Sequence, residues 1–328
     1  MSIGRITTAQ IYSSSNASIQ ASKARLSQLT AQSSSGLLVA KPSDDPAAAA
    51  SILRVRGEQA ANAQYAPNIS DGLGWLSTAD TTMTASENLV RQAKDLTIQA
   101  ANSGVSSPAA RNAIAAQLEG IRDDLLTQAN TKINGRSIFA GTSDASSAFD
   151  PTTFAYSGPT TSTSTTAPDG TVTTTTTALG SVQRRIGSGA GDTTTVSADG
   201  LAAFGSGTTS VFARIQSVID ALRSGTYDTD DSATGPKATV TSGIDVLNGA
   251  LTSISAQHAI VGANYARMTS AKTQNATTAT ALETQRSGLQ DADTTRTLLD
   301  LKTQELAYQT ALQVTAQVIQ PTLMSFLS

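Results

Sequence analysis

Residues 275–328 read NATTATALETQRSGLQDADTTRTLLDLKTQELAYQTALQVTAQVIQPTLMSFLS. Gly288 is the only glycine in this stretch and Pro321 the only proline. Leu282, Leu289, Ala292, Leu299 and Leu306 recur at steps of seven, three, seven and seven. Leu301, Tyr308, Leu312 and Ile319 continue a neighbouring stripe. Such spacing puts apolar side chains on one side of a helix. It predicts one continuous helix over about Asn275–Gln320, roughly 70 Å long at ~1.5 Å per residue. A helix longer than a small domain is wide needs a partner.

The partner is at the other end of the chain. Tyr12, Ile19 and Leu26 are spaced by seven, and Leu29 follows by three, a heptad hint over residues 1–35. Serine is abundant there and is only a middling helix former, so this helix is expected to be marginal alone and to order against a partner. The seam of the C-terminal helix is itself interrupted by Thr303, Glu305 and Thr315.

Composition narrows the function classes. Aromatics are 4% of 328 residues, and the single tryptophan is Trp75. A globular enzyme core normally holds more large apolar groups, each contributing about 1.5–3 kcal/mol when buried. Small residues on long helices suit close helix packing with many weak contacts. A net charge of −3 gives no electrostatic basis for nucleic-acid binding. Cysteine is absent, which removes disulfides and thiolate sites. No apolar run approaches the ~20 residues of a membrane span. Met1–Ile6 lacks an apolar signal region, so export, if it occurs, is expected to use a route other than a cleavable signal peptide.

Between the ends, Lys41-Pro42-Ser43-Asp44-Asp45-Pro46 precedes a run of small helix formers. Asp45 is a good N-cap and Pro46 suits the first helical position, so both aspartates read as capping groups rather than ligands. Helix is expected from Ala47 to about Ser103, through Pro67, with Ile69, Leu73, Leu76 and Met83 on one stripe and Leu89, Ala93, Leu96 and Ala100 on another. Trp75 reads as a packing residue. Ser107-Pro108 caps a third helix to about Lys132, with Ile114, Leu118, Ile121 and Leu125 on one face. Asn134-Gly135 marks a hairpin turn before a short strand Arg136–Ala140.

The composition changes at Gly141. Residues 142–210 are rich in Thr, Ser and Gly, with β-type fragments at 154–156, 171–173, 181–186 and 193–196, and a hairpin signal at Asp169-Gly170. Helix returns over Val211–Leu222 and again from about Lys237. The fold class is therefore mainly α with a β-rich insertion, in which long antiparallel helices from both termini form a coiled-coil-like bundle. The expected divisions are 1–40 and 291–328 as terminal helices, 41–141 and 211–290 as the two halves of a helical core, and 142–210 as a β-rich insertion.

Catalytic and metal motifs are missing. His258 is the only histidine and reads as a packed or solvated helix residue. Gly72-x-Gly74-x-x-Ser77 is a broken dinucleotide pattern without a preceding strand. Asp228, Asp230 and Asp231 lack a full set of calcium ligands and read as a solvated turn. Asp291 and Asp293 read as charges on a helix face. No cofactor, metal or catalytic residue is expected.

Several stretches together resemble the flagellin family of bacterial flagellar proteins. They are Ser33–Gly36 with Lys41–Ala48, Arg91–Asn102, Asn134-Gly135-Arg136 through Gly141, Asp291–Asp293, Glu305–Gln309 and Thr322–Leu327. The resemblance covers about residues 1–141 and 211–328. Flagellin usually reads Ser-Ala-Lys-Asp-Asp-Ala-Ala-Gly at the loop where this chain has Pro42-Ser43-Asp44-Asp45-Pro46. That form is similar to the hook-associated branch, the junction proteins between hook and filament. The resemblance implies a structural protein, exported unfolded through the flagellar apparatus, that acts outside the cell. It also implies that the terminal helices are assembly segments and the insertion a variable outer domain. It implies partners: further copies in a ring, the other hook-side junction protein, filament flagellin and an export chaperone. It gives no reason to expect nucleic acid, membrane or enzymatic activity. The expected assembly residues are Tyr12, Ile19, Leu26, Leu29, Leu299, Leu301, Leu306, Leu312 and Ile319. Filament flagellin itself and a secreted coiled-coil adhesin or effector are the alternatives.

Overall fold

A computed structural model describes residues 8–102, 107–166, 172–189, 191–224, 227 and 232–327. Met1–Ile6, Gly104, Asp169-Gly170, Gly225 and the Asp228, Asp230, Asp231 cluster lie outside the described residues. In chain order the helices are α1 (Thr8–Ser35), α2 (Pro46–Ala101), α3 (Pro108–Ala129), α4 (Gly200–Phe204), α5 (Val211–Arg223), α6 (Pro236–Gln290) and α7 (Thr294–Leu327). Among the described residues six short strands fall between α3 and α4: β1 (Lys132–Ile133), β2 (Arg136–Ser137), β3 (Thr160–Thr166), β4 (Val172–Ala178), β5 (Gln183–Arg185) and β6 (Thr193–Thr195). They pair as three separate antiparallel hairpins, β1–β2, β3–β4 and β5–β6. The fold is mainly helical with a small β insertion.

The chain forms two compact units. One comprises Met1–Ala61 with Thr277–Ser328, and the other Asn62–Ala276. Both α2 and α6 contribute residues to each.

Capping chemistry sets several element starts. Asp45 Oδ1 accepts from the backbone N–H groups of Ala47 and Ala48 at 3.0 and 2.9 Å, and Pro46 opens α2. Ser107 Oγ accepts from Ala110 N at the start of α3. Asn134 and Gly135 take φ of +51° and +80°, the left-handed pair that a two-residue hairpin between β1 and β2 requires. Strand pairing stops at Ser137; Ile138, Phe139 and Ala140 turn into the core and are fully buried. The fragment at 154–156 is not a strand. Phe154 has φ of +56°, and Tyr156 makes a single bridge to Phe149.

The core of the Asn62–Ala276 unit gathers most of the chain's scarce large aromatics. Of six phenylalanines, five meet: Phe139, Phe149, Phe154, Phe204 and Phe212. Phe149 stands edge-on to Phe204 and Phe212 with centroids 5.7 and 5.3 Å away, and Phe139 edge-on to Phe204 at 5.3 Å. Such pairs add about 0.5–1.5 kcal/mol beyond area burial. Asn130, just past α3, fixes Phe149 by exchanging two hydrogen bonds with its backbone at 2.8 and 3.1 Å. Tyr156 donates its hydroxyl to Phe139 O at 3.0 Å; burial, then the charge of Asp199, pushes its pKa up to about 12. The amphipathic face of α5, Val211, Ile215, Val218, Ile219 and Leu222, is buried as the 3.6-residue period predicts.

Within the same unit α2 and α6 run in opposite order. Asn62 and Asn275 exchange side-chain to backbone bonds at 3.1 and 2.9 Å, while further along α2 Gly72 lies against Met268. A Cβ at Gly72 would meet the terminal methyl of Met268, so a larger residue there would make that flexible side chain shift. Trp75 is buried, with the Arg184 guanidinium 5.9 Å from its ring centroid. It is a packing residue, as its place beside the Ile69–Leu76 stripe predicts.

The predicted continuous helix over Asn275–Gln320 does not form. α6 runs through Asn275 without interruption but ends at Gln290, and α7 starts at Thr294. The break needs neither Gly nor Pro. Asp293 Oδ1 accepts from Arg296 N at 3.1 Å and caps a new helix. The backbone of Gln290–Ala292 bonds instead to residues 36–38.

Removing the central ring of the aromatic cluster tests this packing. Phe149→Ala should cost about 3–5 kcal/mol by urea denaturation, the usual range for a buried phenylalanine. A loss below about 1 kcal/mol would contradict the cluster's place in the core.

Candidate assembly surface

In the unit made from the two chain ends, α1 packs on α7. Their order is antiparallel: Gln304 Nε2 donates to Ser22 O at 3.3 Å, while Leu37 bridges Asp291. From α1, Leu29 is buried, and Ile19 and Leu26 are half-buried. From α7, Thr297 is buried, and Leu301, Gln304, Tyr308, Ala311 and Thr315 are half-buried. Those α7 residues step by four, three, four, three and four, the heptad pattern of a coiled-coil seam. Two threonines and a glutamine within it make the seam weak.

A second apolar row on α7 faces away from α1. Leu299 is 69% exposed and Leu306 65%. Leu298, Leu312 and Val314 are also exposed, and so is Tyr12 on α1. The expected assembly residues therefore divide: Ile19, Leu26, Leu29 and Leu301 lie toward the α1–α7 contact, and Tyr12, Leu299, Leu306 and Leu312 lie open to solvent. Ile319 falls on α7, but its side chain is outside the described residues. The regular steps from Leu282 to Leu306 assumed one helix. Leu282 is indeed buried, but the break at 291–293 resets the helical phase, so Leu299 and Leu306 emerge on the outer side. Thr297, Gln304, Ala311 and Thr315 were missed as seam residues because small and polar groups carry little hydrophobic signal.

The loop between α1 and α2 closes this pair. Gly36 takes φ of +68° and stops α1. Its carbonyl accepts from Ala292 N at 2.9 Å, and Leu38 N donates to Gln290 O at 2.7 Å. In the motif Pro42, Ser43, Asp44, Asp45, Pro46, Asp44 Oδ2 accepts from Ala40 N and Lys41 N at 3.2 and 2.9 Å, tightening the turn, while Asp45 caps α2. Both aspartates thus act on backbone N–H groups.

Asp291 and Asp293 are not helix-face charges. Asp293 is the α7 cap. Asp291 receives two bonds from Arg286, at 3.0 and 3.1 Å, and the same guanidinium reaches Glu283 at 2.7 Å. Hydrogen bonds from Arg286, then Ser287, hold the Asp291 carboxyl below its ordinary pKa. Hydrogen bonds to Glu283, then Asp291, raise that of Arg286. Arg56 Nη2 adds a bond to Gln290 Oε1 at 2.9 Å. Among the described residues no helix is long and apolar enough to cross a membrane.

The N-terminal helical region of bacterial flagellins matches residues 6–144 and the C-terminal helical region residues 244–327. The chain belongs to the flagellin family. Flagellar hook-associated protein 3 of Salmonella typhimurium is 35% identical over 155 residues, 47% of this chain and 49% of the relative. The protein of the same name from Escherichia coli is 33% identical over 138 residues, 42% of this chain and 43% of the relative. The matches span about half the length of these relatives. In fold, flagellar hook associated protein-3 from Legionella pneumophila superposes with a TM-score of 0.51 at 14% identity, covering 72% of this chain and 99% of that one.

The two leucine rows make opposite predictions. Leu29→Ala should cost about 2–5 kcal/mol of local stability and speed hydrogen exchange across α1 and α7. Leu306→Ala should change stability by no more than about 0.5 kcal/mol. Equal effects would contradict the assignment of inner and outer rows.

Proposed function

We propose that this chain is a structural subunit of the bacterial flagellum that joins hook to filament. The observation that carries the reading is the outer row of α7, with Leu299, Leu306 and Leu312 exposed on a helix already paired with α1. Burying a leucine contributes about 1.5–3 kcal/mol. Three leucines per copy, repeated around a ring, supply a substantial assembly energy. The family, and the names of the two bacterial relatives, support the junction role.

In this reading Ile19, Leu26, Leu29 and Leu301 close the chain's own ends first. Tyr12, Leu299, Leu306, Leu312 and Ile319 then meet neighbouring copies. Segments 1–40 and 291–328 are the assembly segments, 41–141 and 211–290 the helical core, and 142–210 an outward-facing variable part. The ring lies between the other hook-side junction protein and filament flagellin. An export chaperone covers the terminal segments until the chain leaves the cell unfolded. A weak seam serves that route, because a segment with few strong contacts stays unfolded until many copies align. No catalytic step and no cofactor are assigned to it.

Deleting the gene tests the junction role. The expected phenotype is a completed hook with no filament and flagellin monomers released into the medium. Filaments of normal length on the deletion strain would overturn the proposal. A complementing chain carrying Leu299→Ser and Leu306→Ser should be exported at normal levels yet fail to restore filaments. Full motility from it would remove the outer row from assembly.

A further inference from the structure

His258 on α6 is the chain's only histidine, and its ring sits between two carboxylates of α2. Nε2 lies 2.9 Å from Asp80 Oδ1, and Nδ1 lies 3.1 Å from Glu87 Oε1. Ionised carboxylates only accept hydrogen bonds, and a neutral imidazole carries one N–H. Both bonds exist together only when the ring is the imidazolium. In the neutral ring one nitrogen lone pair faces a carboxylate oxygen. Glu87 is held on its other sides by Arg91 Nη2 at 2.7 Å and by the Ser255 hydroxyl at 3.1 Å. It cannot swing away from the ring without giving up those bonds. The His258 side chain is 25% exposed, so water screens the group only in part.

We infer that His258, Asp80 and Glu87 form a proton-operated clasp between α2 and α6, closed in mildly acidic surroundings and loosened in alkaline ones. The charged groups that act on the clasp are Asp80 and Glu87 themselves, with Arg91 behind Glu87; α6 adds only the neutral Ser255.

The signs follow from linkage. Burial pushes the His258 pKa down, but hydrogen bonds to Asp80 and Glu87, then their charges, outweigh it and leave it above 6.5. Stability from a raised histidine is complete below 6.5 and is lost as pH climbs through the folded value. Burial pushes Glu87 up, but hydrogen bonds from His258, Ser255 and Arg91 prevail and leave it below 4.5. Its share is complete above 4.5 and is lost as pH falls through its folded value. The clasp is therefore tightest between 4.5 and 6.5.

The experiment uses the full chain without a histidine tag, so that isotope-labelled histidine gives one NMR signal. The expected titration midpoint lies above 6.5 and moves down in Asp80→Asn, whose exposed side chain can be changed without disturbing the core. Between pH 6 and pH 9 the wild-type Tm should fall by about 2–4 °C more than that of His258→Gln. A midpoint at or below 6.5, or parallel Tm curves for the two proteins, would overturn the clasp. If His258→Gln does not fold, the NMR comparison decides alone, and an Asp80→Asn midpoint equal to wild type overturns it.

Discussion

Main-chain hydrogen bonds between residues 36–38 and 290–292 hold the two ends of this chain in one unit. They require two interruptions at once. α1 must stop at Gly36, and the long C-terminal helical run must break at Asp291. Each interruption leaves backbone groups without helical partners, and the two sets satisfy one another. Arg286 and Arg56 then fix the C-terminal break from the side through Asp291 and Gln290. Beyond this closure, among the described residues, α1 and α7 meet along a seam of modest apolar residues interspersed with threonine and glutamine.

The unit bounded by Asn62 and Ala276 is built on a different principle. It concentrates five of the chain's six phenylalanines, and its buried tryptophan, in one well-packed core. Where α2 meets α6 in it, the Met268 side chain lies against Gly72. Most of the chain's few large aromatic rings are gathered there. In the terminal unit, α7 turns Leu301 and Tyr308 toward α1 and leaves Leu299 and Leu306 exposed.

Much of this was readable from the residues. The caps at Asp45-Pro46 and Ser107-Pro108, the hairpin at Asn134-Gly135 and the amphipathic run Val211–Leu222 are local signals, and the local backbone obeys them. The break after Gln290 was hidden because the apolar spacing runs on across it through Leu289, Ala292 and Leu299, and Gly288 just before it remains helical within α6. Asp293 was the available clue, since aspartate is a strong helix N-cap, but the hydrophobic period outweighed it. The aromatic cluster draws residues from positions 139 to 212, and no local pattern reports contacts at that separation. The inner seam of α7 was missed for the opposite reason: its residues are close in sequence but too polar or too small to stand out. His258 looked inert because its carboxylate partners lie more than 170 positions earlier.

The junction role meets its most direct test in immunogold labelling of intact flagella with antibody raised against this chain. A single band of gold at the boundary between hook and filament is the expected result. Gold distributed along the length of the filament would contradict it.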